Sequence, residues 1–463
     1  MQREAARTPA GVPLFIATDQ EGGWVRHVKG TTSVTPGNMS IGAGGLPYDA
    51  YRTGKLIGSE LRALGINMNF APTVDVYTNP EAHVIGPRAF SSDPLTTAVM
   101  SQAYFHGMRS MGIVSTAKHF PGHGNADRDS HGSLPVIYDD LETLLARDLL
   151  PYRMLIPEGL PAIMTGHLAF PEITGDTVPA SLSATLVHDL LRETLGFKGL
   201  VITDDLRMAG ARQSGVGIPK AAEKALRAGN DIIMISLDTR LHQQVWDHLY
   251  RVLEEDPGFR QILETAVTRI LRIKEEYLTS EWSVPFEPDP SLIDQAIPAD
   301  EAYLLQQAGR SVTAVETRGL PLLRQESVLL TGQIGGFFRA GKARFPGAES
   351  YECAYDPFYS PAPGAAASIA ARGPFYDRII FCLATPGSFE VLKELARRAP
   401  GLKDKIIVVS VLTPVYLLDL DWLSAAVAAY GMGDESFTAA FGALLGDFEP
   451  SGVLPLKGLN ATE

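Results

Sequence analysis

The feature that most narrows the fold is an alternation along the first part of the chain. Short β-branched runs alternate with longer amphipathic stretches, and polar side chains gather at or just after the ends of the runs. The runs are Pro13–Thr18, Ile66–Phe70, Ile113–Ala117, Ala162–Thr165, Leu200–Thr203 and Asp231–Ile235. Between them, Asp49–Leu64, Leu95–Met111, Asp140–Ile156, Ser183–Leu195 and Lys220–Ala228 carry helical periodicity. Such alternation marks βα units around parallel strands. Asp19 follows the first run, Asn69 and Asp75 mark the second, and Lys118 and His119 the third. His167 follows the fourth, and Asp204 and Asp205 the fifth. Polar groups at the C-terminal ends of successive parallel strands form the catalytic face of a (β/α)8 barrel. A doubly wound sheet also binds ligands at strand ends, but at one crevice instead of around a ring. Ordinary helix caps account for Thr165 or Ser236, and account poorly for the Lys118–His119 pair.

After the helical stretch Gln261–Tyr277 the texture changes. Leu278–Ala299 is rich in Pro, Glu and Asp, lacks periodicity, and reads as a linker. The expected division is therefore a barrel over residues 1–280, a linker over 281–300 and a second α/β domain over 301–463. In that domain Ser327–Thr331, Arg378–Leu383, Ile406–Ser410 and Ala426–Tyr430 read as strands, and Ser388–Arg398 as a helix capped by Ser388. Tyr351–Gly373, rich in Pro, Ala and Gly, reads as a long loop. A chain of 463 residues is ample for large cores without a staple. Its only cysteines, Cys353 and Cys382, exclude a disulfide scaffold and any multi-cysteine metal cluster. Forty basic against 53 acidic residues give a net charge of −13, which disfavours nucleic acid or an anionic membrane as partner. Met1–Pro13 shows no signal-peptide core, and no apolar run reaches the roughly 18 residues of a membrane span. The expectation is a soluble, cytoplasmic protein; oligomeric state is left open.

Four segments carry chemistry. The densest runs from Lys118 to His131 and holds three of the ten histidines. A metal site is disfavoured there, because Pro121, Gly122 and Gly124 make a loop, no H-x-x-x-H pair falls on a helix, and Lys118 sits alongside. Asp129 and His131 are two apart, so in an extended loop they share a side. A carboxylate on one imidazole nitrogen fixes the tautomer and leaves the other nitrogen for proton transfer. The second segment, Gly196–Met208, is an apolar run ending in Asp204 and Asp205, of which one faces the strand-end mouth and the other the following helix. That carboxylate suits a nucleophile, a general base or a metal ligand, and the other a helix cap. The third is Asp19-Gln20-Glu21-Gly22-Gly23, whose acids can bind hydroxyls; the fourth is the Gly/Pro loop around Arg88.

Together these segments resemble glycoside hydrolase family 3, in its β-N-acetylglucosaminidase (β-hexosaminidase) branch. The matching pieces are Asp19–Gly23, the stretch from Asn79-Pro80 through Ile85–Pro94, Lys118–Gly124 with Asp129–His131, Met164–Pro171 and Gly196–Met208. Ala428–Gly431 and Pro450–Pro455 resemble the family's closing elements. The resemblance implies a (β/α)8 TIM-like barrel followed by a smaller α/β/α sandwich domain. It implies a retaining glycosidase without metal or cofactor that removes terminal β-linked N-acetylglucosamine from small glycosides, such as muropeptide or chitin fragments. Asp204 would be the nucleophile and His131, paired with Asp129, the acid/base. Asp19, Arg88, Lys118 and His119 would bind sugar hydroxyls, with His27 standing where relatives carry a sugar-contacting arginine. Asn125 stands where an Asp is usual. The family's first βα unit precedes the segment matched by Asp19–Gly23, so only six barrel strands are expected here. A phosphorylase of the same branch and an inactive carbohydrate-binding relative are the alternatives.

Overall fold

A computed structural model of the chain describes residues 1–463 apart from 213–214, 237, 356–359, 459–463 and the side chains of 296–299. The chain divides into two compact units. The first comprises Met1–Glu21, Val25–Thr32 and Ala50–Gln295; the second comprises Gly22–Trp24, Ser33–Asp49 and Ala296–Glu463.

The first unit is built on a parallel sheet. Its strands β1 (Ala17–Thr18), β2 (Met68–Asn69), β3 (Val114–Phe120), β4 (Ala162–Thr165) and β5 (Leu200–Thr203) lie side by side in chain order. Ala17 pairs with Met68, Met68 with Val114, and Thr165 with Thr203. β3, β4 and β5 are buried at every position, as parallel strands covered on both faces must be. Successive side chains alternate between two cores. Ile163 and Val201 face the cluster of Phe120, Tyr152, Leu186 and Phe197, while Ala162, Leu200 and Ile202 face Ile273 and Tyr277 of the helix Pro257–Leu278.

Of the six barrel strands expected, the described residues form five in one sheet. The sheet has five strands with β1 and β5 at its edges, and Asp231–Ile235, expected as a sixth strand, contributes a single parallel bridge from Ile232 to Ile202. β1 and β2 are short, and asparagine side chains carry the bonding beyond them: Asn67 Oδ1 accepts the Ile16 N–H at 2.8 Å and Asn69 Oδ1 the Gln20 N–H at 2.9 Å. β3 is longer than expected and takes in Lys118 and His119. The helical stretch Asp140–Ile156 is two helices, Leu141–Ala146 and Leu150–Leu155. Asp140 caps the first through the N–H of Thr143, and Pro151 at the start of the second cannot continue an earlier ladder. The break leaves Arg147 and Asp148 between them.

Among its described residues the second unit holds a six-stranded sheet: β6 (Thr313–Thr317), β7 (Val328–Gly332), β8 (Glu349–Glu352), β9 (Arg378–Leu383), β10 (Ile406–Val411) and β11 (Ala425–Tyr430). Their order is β8-β7-β9-β10-β11-β6, parallel except for the antiparallel edge strand β6. Three expectations need correction. The linker placed at 281–300 is entered by the helix Ser291–Ser311, whose start the prolines 285, 288 and 290 disguise. Tyr351–Gly373 is not all loop, since it holds the end of β8 and the helix Ala365–Arg372, which buries Ala365, Ala366 and Ile369. The helix Pro386–Arg398 is capped by Thr385, which accepts from the Ser388 N–H at 3.2 Å while Ser388 Oγ accepts from the Thr385 N–H at 2.8 Å. The membership of residues 33–49 in this unit was also unexpected. Asp49 receives both Arg310 Nε (2.9 Å) and Nη2 (2.6 Å), a bidentate pairing between positions far apart in sequence. No helix among the described residues is long and apolar enough to cross a membrane.

Candidate active site

The site grows from the C-terminal ends of the first unit's strands. Near the C-terminal end of β3 stands Lys118, buried, whose Nζ donates to Asp19 Oδ1 at 2.5 Å and approaches Glu21 Oε1 at 2.6 Å. Asp19 and Glu21 reach the same ammonium because residues two apart in extended chain share a side. Arg88, in the turn Gly86–Arg88, grips Glu21 from the other side, with Nε on Oε2 at 2.9 Å and Nη2 on Oε1 at 2.8 Å. Burial alone would raise the Glu21 carboxyl, and the two cations overcome it and hold the group far below the usual range. Burial likewise works against charge on Lys118, and Glu21 and Asp19 outweigh it to raise its pKa. The donors that the family resemblance assigns to sugar hydroxyls are thus partly engaged by Glu21. Asp19 is 28% exposed and keeps an accessible face, where His27 Nδ1 stands 3.7 Å from Oδ2.

Asp75 organises the neighbouring histidines. Its Oδ1 accepts the backbone N–H of His123 at 2.7 Å and that of His119 at 3.2 Å, and its Oδ2 lies 2.8 Å from His119 Nδ1. A carboxylate only accepts, so His119 carries a proton on Nδ1, and its Nε2 lies 3.3 Å from Arg88 Nη2. His123 is buried; burial, aided by His119, lowers its pKa to about 4 against the pull of Asp75, so its ring is neutral near neutrality.

Asp204 begins the turn after β5. Its N–H donates to Thr165 O at 3.0 Å and its Oδ1 accepts the Asp205 N–H at 2.7 Å. Burial raises its pKa, but His167, His119, the Asp205 N–H and Lys118 together bring it below the ordinary value. The Asp205 carboxylate turns away, as alternation requires. It accepts the Arg207 N–H at 2.9 Å and the hydroxyl of Ser236. His167 Nε2 lies 3.0 Å from Asp205 O, a pure acceptor, so Nε2 donates and Nδ1 accepts from the Ser181 hydroxyl at 2.8 Å.

The last component is the dyad. His131 Nδ1 lies 2.7 Å from Asp129 Oδ1, which also accepts the His131 N–H at 2.9 Å. The hydrogen bond that His131 donates to Asp129 raises the His131 pKa above 6.5, burial opposes it, and the negative charges of Asp129 and Asp204 add to the rise. The other ring nitrogen is not engaged by Asp129, and the His131 side chain is 66% exposed.

Asp19, Arg88, Lys118 and His119 therefore form one network, His27 touches its rim, Asp204 ends β5, and Asp129 and His131 pair on the loop. Three residues of this arrangement carried no assigned role in the sequence, Asp75, His123 and His167, and Glu21 was read only as an acid able to bind hydroxyls. Glu21 had a signal in its two-residue spacing from Asp19. The other three show their parts only once the strands are adjacent. Among the described residues no group of three His, Cys, Asp or Glu side chains is placed to hold a metal ion.

A parallel sheet whose strand ends gather buried carboxylates, two cations and a His–Asp dyad is a frame for acid–base chemistry on a polar substrate. The family model for the glycosyl hydrolase family 3 N terminal domain matches residues 1–273, and the chain belongs to that family. It is 36% identical over 299 residues to beta-hexosaminidase A of Pseudoalteromonas piscicida, covering 59% of this chain and 49% of that one. The chain thus spans about half the length of that relative. It is 38% identical over 248 residues to a beta-hexosaminidase of Stenotrophomonas maltophilia (strain K279a), covering 51% of this chain and 72% of the relative. Among solved structures, a glycoside hydrolase family 3 beta-N-acetylglucosaminidase from Paenibacillus sp. str. FPU-7 superposes with a TM-score of 0.86 at 28% identity. That match covers 98% of this chain and 88% of the other.

Proposed function

We propose that the protein is a retaining exo-glycosidase that removes terminal β-linked N-acetylglucosamine, and that its five-stranded sheet is an arc of a TIM-like barrel. In the first step an Asp204 oxygen attacks the anomeric carbon and the glycosidic C–O bond breaks. The Nε2 proton of His131 passes to the departing oxygen. In the second step a water oxygen attacks the same carbon, its proton returns to His131, and Asp204 leaves as carboxylate. Asp19, Arg88, Lys118 and His119 hold the sugar hydroxyls at the strand ends, with His27 at the rim. The observation that carries this reading is the Asp129–His131 pairing at 2.7 Å on the loop beside the strand that ends in Asp204. A histidine in the place of a second carboxylate brings a proton donor without a second negative charge next to the nucleophile. The names of the relatives support the choice of sugar.

The test is turnover of p-nitrophenyl β-glycosides of N-acetylglucosamine, glucose and xylose, with inorganic phosphate present and absent. Release from the N-acetylglucosamine glycoside without phosphate, lost in Asp204→Ala, is expected. A sugar 1-phosphate as the phosphate-dependent product would make the protein a phosphorylase. No turnover of any glycoside would contradict an enzymatic role.

A further inference from the structure

The loop that carries the dyad leaves β3 at Phe120 and comes to rest beside the turn after β5. At its far end the side chains divide. Asp129 and His131 are 49% and 66% exposed, while Ser130 between them is buried. The backbone turns here, with the Gly132 and Ser133 N–H groups both donating to Asp129 O at 3.1 Å, and the turn buries the Ser130 side chain while the dyad on either side faces solvent. Inward, Ser130 Oγ meets His123 Nε2 at 3.2 Å. His123 is fixed in turn. Its N–H donates to Asp75, and its ring stands edge-on to His119 with centroids 5.6 Å apart. From the β5 side the Gly210 N–H donates to Ser130 O at 3.0 Å and the Ala209 N–H to His131 O at 3.3 Å. Gly210 permits this approach, because a Cβ there would lie 3.0 Å from the His167 Cβ and 3.2 Å from Ser130 O.

Resting on the reading of Asp129 and His131 as the acid/base pair, we propose that His123 and Ser130 form a latch that holds the dyad loop in place beside Asp204. Both are positioning residues: neither reaches the reacting atoms, and they act through His131. Asp75 ties the latch to the sugar-binding side of the site, because one carboxylate holds the backbone of His119, the ring of His119 and the backbone of His123. A neutral His123 keeps the latch in one state through the range where His131 titrates.

Ser130→Ala tests the latch on two β-N-acetylglucosaminides. One has a 2,4-dinitrophenolate leaving group, which departs without a proton, and the other an alkoxide, which requires one. A positioned general acid supplies about 10²- to 10⁴-fold, so the alkyl glycoside should lose at least about 10-fold in kcat/KM and the dinitrophenyl glycoside less than about 3-fold. Ser130→Thr, which keeps the hydroxyl, should restore the alkyl activity. Amide hydrogen exchange across residues 121–133 should quicken in Ser130→Ala and not in Ser130→Thr. Equal losses on both glycosides, or no loss on either, would overturn the positioning role. If the wild-type protein cleaves neither glycoside, the acid–base reading falls. Exchange still decides the latch, and unchanged exchange in Ser130→Ala overturns it.

Discussion

Lys118 Nζ and Glu21 Oε1 lie 2.6 Å apart, and their side chains are only 2% and 1% exposed. Both are charged, and Arg88 closes the other side of the same carboxylate. Lys118 and Arg88 are therefore held in place before any sugar arrives, and the direction of their remaining donors is set by Glu21. Substituting Glu21 by Gln removes the carboxylate that the two buried cations share, leaving Asp19 on Lys118 and only the weaker pull of Asp75 and Asp19 on Arg88. Breaking a buried pair by removing one partner costs about 3–5 kcal/mol. Urea unfolding of Glu21→Gln should show a loss of that size. KM for the N-acetylglucosamine glycoside should also rise, since the sugar then meets two misdirected cations. Wild-type stability and wild-type KM in this variant would contradict the assignment.

In the proposed mechanism the dyad sets the alkaline limb of activity. His131 must be protonated for the first step, so kcat/KM falls as pH rises through its pKa, which Asp129 raises above 6.5. Asp129→Asn removes the main cause of the rise. The alkaline limb of the kcat/KM profile should move to lower pH, while the acid limb, governed by an Asp204 carboxyl below its ordinary value, stays in place. A limb that does not move would detach His131 from the chemistry.

Much of this was legible before the fold. Ala162–Thr165, Leu200–Thr203 and Arg378–Leu383 have the same bounds in sequence and structure, because fully buried parallel strands read as unbroken β-branched and apolar runs. Asp129 and His131 were legible as a pair because their contact is local. Glu21 was legible as an acid two residues from Asp19 but not as the partner of Lys118 and Arg88, which are distant in sequence. Asp75 was legible as a strand-end acid but not as the anchor of two histidines, a role that depends on β2 and β3 being neighbours. The helix Ser291–Ser311 and the membership of residues 33–49 in the second unit were hidden for different reasons: proline-rich flanks mask the first, and the second involves long-range contacts such as the Asp49–Arg310 pairing.

Asp148 lies under the start of the dyad loop, where a Cβ on Gly122 would come within 2.7 Å of its own. Burial pushes its carboxyl up to about 7, and Arg147 only partly offsets this. The folded protein thus binds a proton there that the unfolded chain has released. This stabilisation is full below the ordinary carboxylate value near 3.8 and is lost as pH rises to about 7. His123 runs the other way: its contribution is full above 6.5 and is lost as pH falls towards about 4. Asp148→Asn removes the falling slope, so its urea stability should match wild type near pH 4 and exceed it by up to about 4 kcal/mol at pH 8. An offset that does not change with pH would mean that Asp148 is not the titrating group.

The most direct measurement of the proposed chemistry is the anomer first released from a β-N-acetylglucosaminide, followed by ¹H NMR, together with intact-protein mass spectrometry after reaction with a slow fluorinated N-acetylglucosamine glycoside. A retaining nucleophile at Asp204 yields the β-anomer first and one added sugar mass that maps to the peptide holding Asp204 and is absent from Asp204→Ala. Initial release of the α-anomer, or a sugar bound at any other residue, would contradict it.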